Sequence, residues 1–286
     1  MMLVENVPLV SVLMPAFNSS ENIAVAIQSV LNSTLHDFEL IITDDNSTDN
    51  TFQIASKFAH KDQRIKLFRN DVNYGDYGNR NKAASYAKGK YIKYVDHDDF
   101  IYPNGLETIV SKMEEFPMAS IGFFSLPQNK MQPYPILLEP EEVYRYNFLG
   151  PGLFYKAPLS SIILRSSFEE VGGFKNERYT GDFELWHRMA QKFKVLLIQD
   201  HIVWYREHNS QESGKMKLVD YLKYDRIELS YILDKNSPIS DFERDIIIAK
   251  RLTYFYRQFL ISILKLNSKQ VILYFNKVLI FKRWKK

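Results

Sequence analysis

The chain has 286 residues, a formal net charge of +3 and no cysteine, which excludes disulfides and thiolate metal sites. The small charge gives no support for nucleic-acid binding, and no uncharged stretch approaches the ~18 apolar residues of a membrane span. Glu5 lies near the start with no basic segment before the first apolar run, so a signal peptide is not indicated and we expect a cytoplasmic protein.

The first hundred residues alternate apolar runs with amphipathic segments. The runs LVSVLMPAF, FELIIT, RIKLF and YIKYV predict four strands, the first of them stopped by Pro15. Asn18 and Glu21 have the spacing of a capping box before the first helix, and Gly89 predicts the end of a helix before the fourth strand. Strands that alternate with helices indicate a parallel sheet with helices on its faces.

Polar clusters follow three of the predicted strands. The segments are PAFN, DDNSTD and DHDD. In parallel sheets, ligands bind beyond the carboxyl ends of the strands. We therefore expect the three clusters to converge on one edge of the sheet.

The second half of the chain changes character twice. Six of the eleven prolines lie between Pro127 and Pro158, and the strands predicted at SSIILR, KVLLI and HIVWYR flank a helix at GDFELWHRMAQKF, with Asp182 as its expected cap. From about residue 214 the pattern is helical to the end. We therefore divide the chain into an α/β domain at 1–213 and a helical extension at 214–286.

The DHDD segment places Asp96, Asp98 and Asp99 within four positions. One helix cap cannot account for three carboxylates that repel each other. Mg²⁺ and Mn²⁺ take one or two carboxylates together with substrate phosphates, so a metal–diphosphate site is the preferred interpretation. A phosphatase nucleophile is a weaker alternative, because such aspartates usually follow the first strand and these follow the fourth.

Five ordered segments resemble one known family. VSVLMPAFN, ELIITDDNSTDNT, GNRNKA, GKYIKYVDHDDFIYP and GDFELWHRM occur in the order seen in family 2 glycosyltransferases of the GT-A fold. The resemblance runs from about Val10 to about Ser210, and bacterial enzymes that build capsule, O-antigen or spore-coat polysaccharide are the most similar. It implies a Rossmann-like, mostly parallel central sheet flanked by helices, with residues 1–213 as the catalytic domain.

The resemblance also implies a nucleotide site. Asp45 would accept the hydrogen bond of a uracil imide, Arg80 would lie near the phosphates, and Asp96 would reach the ribose hydroxyls. The segment after the first strand would lie against the base; it consists of Pro15, Ala16, Phe17 and Asn18. The implied donor is a nucleotide-diphosphate sugar, with UDP as the favoured nucleotide.

Metal and catalytic roles are implied in the same way. Asp98 would bind Mn²⁺ or Mg²⁺, and His208 is either a further ligand of metal or diphosphate or an exposed loop residue. Asp182 would be the general base of an inverting transfer to a hydroxyl of a glycan or polyprenyl-diphosphate-linked acceptor. The family often has Glu-Asp here, whereas this chain has Gly181 before the aspartate. Glu184 is a weaker candidate for the base.

Two alternative functions and three roles for the extension stay open. A GT-A-like nucleotidyltransferase would usually have a glycine-rich loop after the first strand, and PAFNSSEN has no glycine. A nucleotide-sugar-binding pseudoenzyme that serves as a partner subunit is suggested only by Gly181. The helical extension would pack on the catalytic domain, on a second subunit in a homodimer, or on the inner face of the cell membrane as a peripheral contact.

Overall fold

The computed structural model describes residues 7–207 and 216–283, and within them ten strands and ten α-helices. The strands are β1 (Val10–Ala16), β2 (Phe38–Asp44), β3 (Ile65–Arg69), β4 (Tyr91–Tyr94), β5 (Phe100–Ile101), β6 (Ala119–Phe123), β7 (Ile136–Leu138), β8 (Ser161–Leu164), β9 (Lys194–Leu197) and β10 (Val203–Trp204). The helices are α1 (Ile23–Leu31), α2 (Thr51–Ala59), α3 (Asp76–Ser85), α4 (Gly105–Glu115), α5 (Pro140–Leu149), α6 (Arg165–Glu170), α7 (Gly181–Ala190), α8 (Leu218–Ile232), α9 (Asp241–Leu264) and α10 (Ser268–Arg283).

Eight strands form one mixed sheet in the order β3-β2-β1-β4-β8-β6-β9-β7. Strands β3, β2, β1 and β4 are parallel to each other, β8 is antiparallel to both β4 and β6, and β9 is parallel to β6. The mostly parallel sheet expected from the sequence is therefore confirmed. β5 and β10 form a separate antiparallel pair.

Pro15 does not stop β1, contrary to the sequence-based expectation. It lies inside the strand and pairs with Thr43 of β2, whereas the ladder between β1 and β4 ends at Leu13 and Tyr94. The missing N–H of Pro15 therefore lies beyond the paired part of that ladder and costs no sheet hydrogen bond.

Helices cover both faces of the sheet because its strands alternate their apolar side chains between two clusters. Val12 and Met14 belong to the cluster beneath α1, α2 and α4, while Leu13 belongs to the cluster beneath α3, α5, α6 and α7. Buried residues of the C-terminal helices, among them Phe255 and Phe281, join the second cluster. The extension therefore packs on the same side of the sheet as α7.

Two helix boundaries differ from the predictions made at the level of sequence. The capping box of Asn18 and Glu21 is not formed, because α1 begins at Ile23 after Asn22 and Asn18 has a positive φ of 47°. Gly89 does not end a helix, since α3 ends at Ser85. A Cβ on Gly89 would come within 2.4 Å of the Ser11 backbone nitrogen, so this glycine allows the close approach of the chain to β1.

Candidate functional site

The loops after β1 and β2 are hydrogen-bonded to each other at the carboxyl edge of the sheet. The backbone N–H of Asn18 donates to Ser47 Oγ at 2.9 Å, and the Thr48 N–H donates to Asn18 Oδ1 at 2.9 Å. Asp49 accepts from the N–H of Ser20 at 3.0 Å. These contacts hold the two loops together along one side of the sheet edge, and we call this pair of loops the wall.

Phe17 is the exposed aromatic of this wall. Its side chain is 44% exposed, whereas Pro15 and Ala16 are buried in β1. Of the four residues implied to lie against a base, only Phe17 and Asn18 project from the strand end. Phe17 offers a ring face for stacking, and Pro15 and Ala16 are the buried strand residues that precede it.

Asp45 is held by the start of helix α3. Its Oδ1 accepts from Asn70 Nδ2 at 2.7 Å and from the Tyr74 N–H at 3.0 Å, and its Oδ2 accepts from the Gly75 N–H at 3.0 Å. The carboxylate is 2% exposed. Asn79 on α3 bonds Asn70 in turn, so this network fixes α3 against the end of β2.

Arg80 and Asp96 form a bidentate ion pair. Arg80 Nη1 and Nη2 each donate to one Asp96 oxygen at 2.8 Å, and Arg80 Nε donates to Asp76 Oδ1 at 2.8 Å. Burial alone would raise the pKa of Asp96, but the guanidinium lies so close that the net shift of its pKa is downward. Arg80 thus holds Asp96 ionised and orients it at the end of β4.

The loop after β4 is bonded to the segment after β10. Burial, followed by the charge of Asp96, raises the pKa of Asp99, although the Arg206 N–H donates to its Oδ1 at 3.0 Å. The Arg206 Nε donates to the backbone carbonyl of Asp98 at 2.8 Å. Asp99 therefore ties the loop to the segment after β10.

Asp98 is the candidate ligand for a divalent cation. Its side chain is partly exposed at the sheet edge, whereas Asp99 is buried. No cluster of three or more His, Asp or Glu ligands occurs within 7–207 and 216–283. Mg²⁺ and Mn²⁺ can be held by one or two carboxylates when substrate phosphates supply the other oxygens. His208 lies outside the described residues.

Lys93 lies beneath this loop, in the interior of β4. It is completely buried in β4, and its Nζ donates to the carbonyls of Tyr94 and Leu159 at 2.6 Å each. Burial lowers its pKa to about 7, while the charges of Asp96 and Asp99 oppose that shift. Sequence reasoning did not single out Lys93, although a lysine inside an apolar strand was a signal that could have indicated it.

Asp182 lies in the first turn of α7, after the N-cap residue Thr180. The expectation that it caps this helix is therefore wrong. Its Oδ1 accepts from the Tyr77 hydroxyl at 2.9 Å and from the Phe183 N–H at 2.7 Å. Burial raises its pKa to about 6, although both hydrogen bonds act in the opposite direction. A carboxylate with this pKa is ionised at neutral pH and can accept a proton.

Gly181 is explained by the aromatic ring of Tyr77. A Cβ at position 181 would come within 2.7 Å of that ring. The ring therefore occupies the space of any larger residue at this position. Glycine, where the family often has glutamate, therefore leaves room for the Tyr77 ring, whose hydroxyl bonds Asp182.

Helix α3 connects the two halves of the site. Tyr77 reaches Asp182 from one turn of the helix, and Arg80, three residues later, reaches Asp96. Sequence reasoning did not single out Tyr77.

Two neighbouring residues have structural roles. Trp186 is fully buried and donates from Nε1 to the Lys156 carbonyl at 2.8 Å, so it packs in the core. Glu184 is paired with Arg188 at 2.7 Å and with Lys175 at 2.6 Å, so its carboxylate is already engaged.

The sequence model described as Glycosyl transferase family 2 matches residues 11–172. A curated relative from Escherichia coli, UDP-Glc:alpha-D-GlcNAc-diphosphoundecaprenol beta-1,3-glucosyltransferase WfgD, is 42% identical over 105 residues, which are 37% of this chain and 41% of the relative. The chain thus matches less than half the length of that relative.

Two solved structures share the fold at low sequence identity. S. aureus TarS 1–349 in complex with UDP-GlcNAc superposes with a TM-score of 0.70 at 18% identity, covering 95% of this chain and 80% of that one. The mannosyltransferase PcManGT from Pyrobaculum calidifontis, in complex with GDP-Man and Mn²⁺, gives a TM-score of 0.59 at 14% identity, covering 98% and 88%. The expected GT-A fold is confirmed.

Proposed function

The chain belongs to glycosyl transferase family 2, and we propose that it transfers a sugar from a UDP-sugar to a hydroxyl of a lipid-linked or glycan acceptor in bacterial surface polysaccharide synthesis. The observation that carries this proposal is the connection made by α3, which links Asp182 through Tyr77 and Asp96 through Arg80 at one sheet edge. All the residues assigned below lie within 1–213, the proposed catalytic domain.

The donor assignment rests on the wall formed by the loops after β1 and β2. Phe17 can stack on a base, and Asp45 would accept from a uracil imide in addition to the bonds that hold its carboxylate. Asp96, ionised and oriented by Arg80, can accept from ribose hydroxyls. The E. coli relative uses UDP-Glc and TarS was solved with UDP-GlcNAc, which favours UDP, whereas the PcManGT complex contains GDP-Man.

Asp182 would act as the base of the transfer. Its pKa of about 6 keeps it ionised at neutral pH while giving it more proton affinity than an ordinary aspartate. It would take the proton from the acceptor hydroxyl late, as the oxygen bonds to the anomeric carbon. Because this base would lie opposite the leaving diphosphate, the acceptor oxygen would attack from that side and the anomeric configuration would invert.

Asp98 would hold Mn²⁺ or Mg²⁺ together with the donor diphosphate. When bound, such a cation neutralises the charge that grows on a departing diphosphate.

The acceptor is proposed as a polyprenyl-diphosphate-linked sugar, since the E. coli relative is named for an undecaprenol-linked acceptor. The anomeric configuration of the product, read by NMR, tests the inverting outcome.

A thermal-shift matrix tests the donor and the metal together. UDP, GDP, dTDP and CDP would each be measured with Mn²⁺, Mg²⁺ or EDTA, because a ligand at 100 times its Kd adds ~2.7 kcal/mol of stability. Asp98→Asn is compared with Asp37→Asn, an exposed aspartate just before β2 at the opposite edge of the sheet. Stabilisation by UDP that needs metal and is lost only in Asp98→Asn supports the proposal. No response to any nucleotide would refute it.

A further inference from the structure

The end of the chain is strongly basic. Residues 246–286 contain ten of the 37 Lys and Arg residues and none of the 34 Asp and Glu residues, so they carry +10 and the preceding 245 residues carry −7. Arg251 and Lys277 are bound to Glu228 and Asp225 of α8. The remaining described lysines and arginines with described side chains lie exposed on α9, α10 and the turn between them: Lys250, Arg257, Lys265, Lys269 and Lys282.

Helix α10 presents an apolar stripe with a lysine at each end. The exposed residues Ile272, Phe275 and Leu279 follow a helical spacing of three and four, and Lys269 and Lys282 extend the same stripe on either side. Phe275 is 50% exposed. An apolar stripe with basic ends is typical of helices that lie in the plane of a membrane interface.

Helix α9 adds a second stripe beside the first. Four of its exposed apolar residues follow a helical spacing of three and four toward its end: Tyr256, Leu260, Ile263 and Leu264. The Phe259 and Phe275 rings are 6.0 Å apart, and Lys282 Nζ lies 5.1 Å from the centroid of the Tyr256 ring. The two stripes therefore form one continuous surface, which we call the hairpin face: residues 256, 260, 263–266, 269, 272, 275, 279 and 282.

The turn between α9 and α10 carries the most exposed leucines of this surface. Leu264 is 83% exposed and Leu266 is 91% exposed, and Leu266 has a left-handed backbone with φ of 51°. The Leu266 N–H donates to the Ile263 carbonyl and the Asn267 N–H to the Ser262 carbonyl, a helix end at which glycine is the usual residue. Neither burial nor backbone preference accounts for a leucine here.

We propose that the hairpin face binds an anionic lipid bilayer, with Leu264 and Leu266 inserted among the acyl chains. The exposed cations complement anionic headgroups, and Lys250 and Arg257 both line a shallow cavity of about 480 Å³ on α9. The net charge of −7 on the rest of the chain is repelled by the same surface, which fixes the orientation. Within 7–207 and 216–283 no helix is long and apolar enough to cross a membrane, so α9 and α10 lie along the interface.

Co-sedimentation of the full chain with vesicles tests this proposal without any reaction, so its outcome is independent of the transfer chemistry. Vesicles of phosphatidylcholine with 30% phosphatidylglycerol are compared with pure phosphatidylcholine at low ionic strength. Lys265→Gln with Lys269→Gln is expected to weaken binding about 25-fold, from ~1 kcal/mol per lysine near an anionic surface. Leu264→Ser with Leu266→Gly is expected to weaken it by at least about tenfold.

Matched variants separate the hairpin face from general charge and general apolar exposure. Lys57→Gln with Lys61→Gln removes two exposed lysines of the catalytic part, and Met131→Ser removes a side chain that is 92% exposed. Both controls are expected to bind like the wild type. Leu266→Gly relieves the left-handed backbone, so its melting temperature is expected not to fall.

Binding to the anionic vesicles that only the hairpin variants lose supports the proposal. No binding to either vesicle, or equal loss in the control variants, overturns it. A dimer seen by light scattering, lost in the hairpin variants and accompanied by no vesicle binding, also overturns it and assigns the hairpin face to a second copy of the chain.

Discussion

The hydroxyl of Tyr77 donates to Asp182 Oδ1 across 2.9 Å, and this bond joins helix α3 to the first turn of α7. Burial and the neighbouring charge of Asp182 raise the pKa of Tyr77 well above its ordinary value, so the phenol stays protonated and acts as the donor. The bond favours the ionised form of Asp182. Tyr77 therefore positions the proposed base and keeps it from protonating at neutral pH.

Tyr77→Phe is expected to move the acid limb of the kcat profile to higher pH. A hydrogen bond to a charged group is worth about 1.5 kcal/mol or more, which corresponds to a shift of about one pH unit. Steady-state transfer measured from pH 5 to 8 reads this shift. Tyr144→Phe is the control, because its buried hydroxyl bonds the His187 carbonyl at 3.2 Å and does not touch Asp182. An unchanged pH profile in Tyr77→Phe would show that Tyr77 does not tune the base.

Asp182→Asn is expected to lose transfer while keeping nucleotide binding. General base catalysis contributes typically 10²–10⁴-fold, so kcat should fall by about that range. UDP with Mn²⁺ should still raise the melting temperature as in the wild type, and Asp37→Asn should leave both properties unchanged. If Asp182→Asn abolished UDP binding as well, the residue would be a structural part of the site.

The same substitution is expected to stabilise the protein above pH 6. The folded pKa of Asp182 is about 6 against an ordinary value of 3.8, so the folded state binds the proton more tightly and stability falls as pH rises from about 4 to about 6. The cost at neutral pH is on the order of 3 kcal/mol. Asparagine keeps the oxygen that Tyr77 and Phe183 bond and cannot ionise. Urea unfolding at pH 4.5 and pH 7.5 should show a gain for Asp182→Asn at the higher pH only.

Gly181→Ala is expected to weaken the Tyr77 contact by pushing on its ring. The Cβ would lie 2.7 Å from the ring, and overpacking of this kind costs about 1–3 kcal/mol. Tyr77→Ala opens the space, so the double variant should lose less stability than the sum of the single variants. Denaturant unfolding of the four proteins measures this coupling. If the stability losses of the two single variants simply add up in the double variant, the strain of Gly181→Ala does not come from the Tyr77 ring.

Much of the fold was predictable because its signals are local. Apolar runs and helical periodicity predicted β1 to β4 and the helices between them. The positions of Asp45, Asp96 and Asp98 directly after predicted strands indicated that they lie at the carboxyl edge of the sheet. The position of β8, antiparallel between β4 and β6, was not predictable, because strand order depends on connections that no local pattern contains.

The unpredicted parts of the site depend on contacts between distant segments. Tyr77 lies 105 residues from Asp182, in the first turn of α3, a helix that is mostly polar and has little apolar periodicity. Gly181 is small because of the ring of Tyr77, and no neighbour in the sequence indicates this. The presence of glycine at position 181 could be explained only after its contact with the Tyr77 ring was known.

The pair Arg80 and Asp96 provides a last test that separates stability from binding. Arg80→Met should destabilise the fold by about 3–5 kcal/mol, because Asp96 then remains in the site without its bidentate partner. Arg80→Met with Asp96→Leu removes both charges and should recover much of that loss. Nucleotide binding should not recover, since Asp96 is the proposed ribose ligand. Urea unfolding gives the stability of each variant, and titration with UDP and Mn²⁺ gives its affinity. A double variant that regained wild-type UDP affinity would remove Asp96 from the nucleotide site.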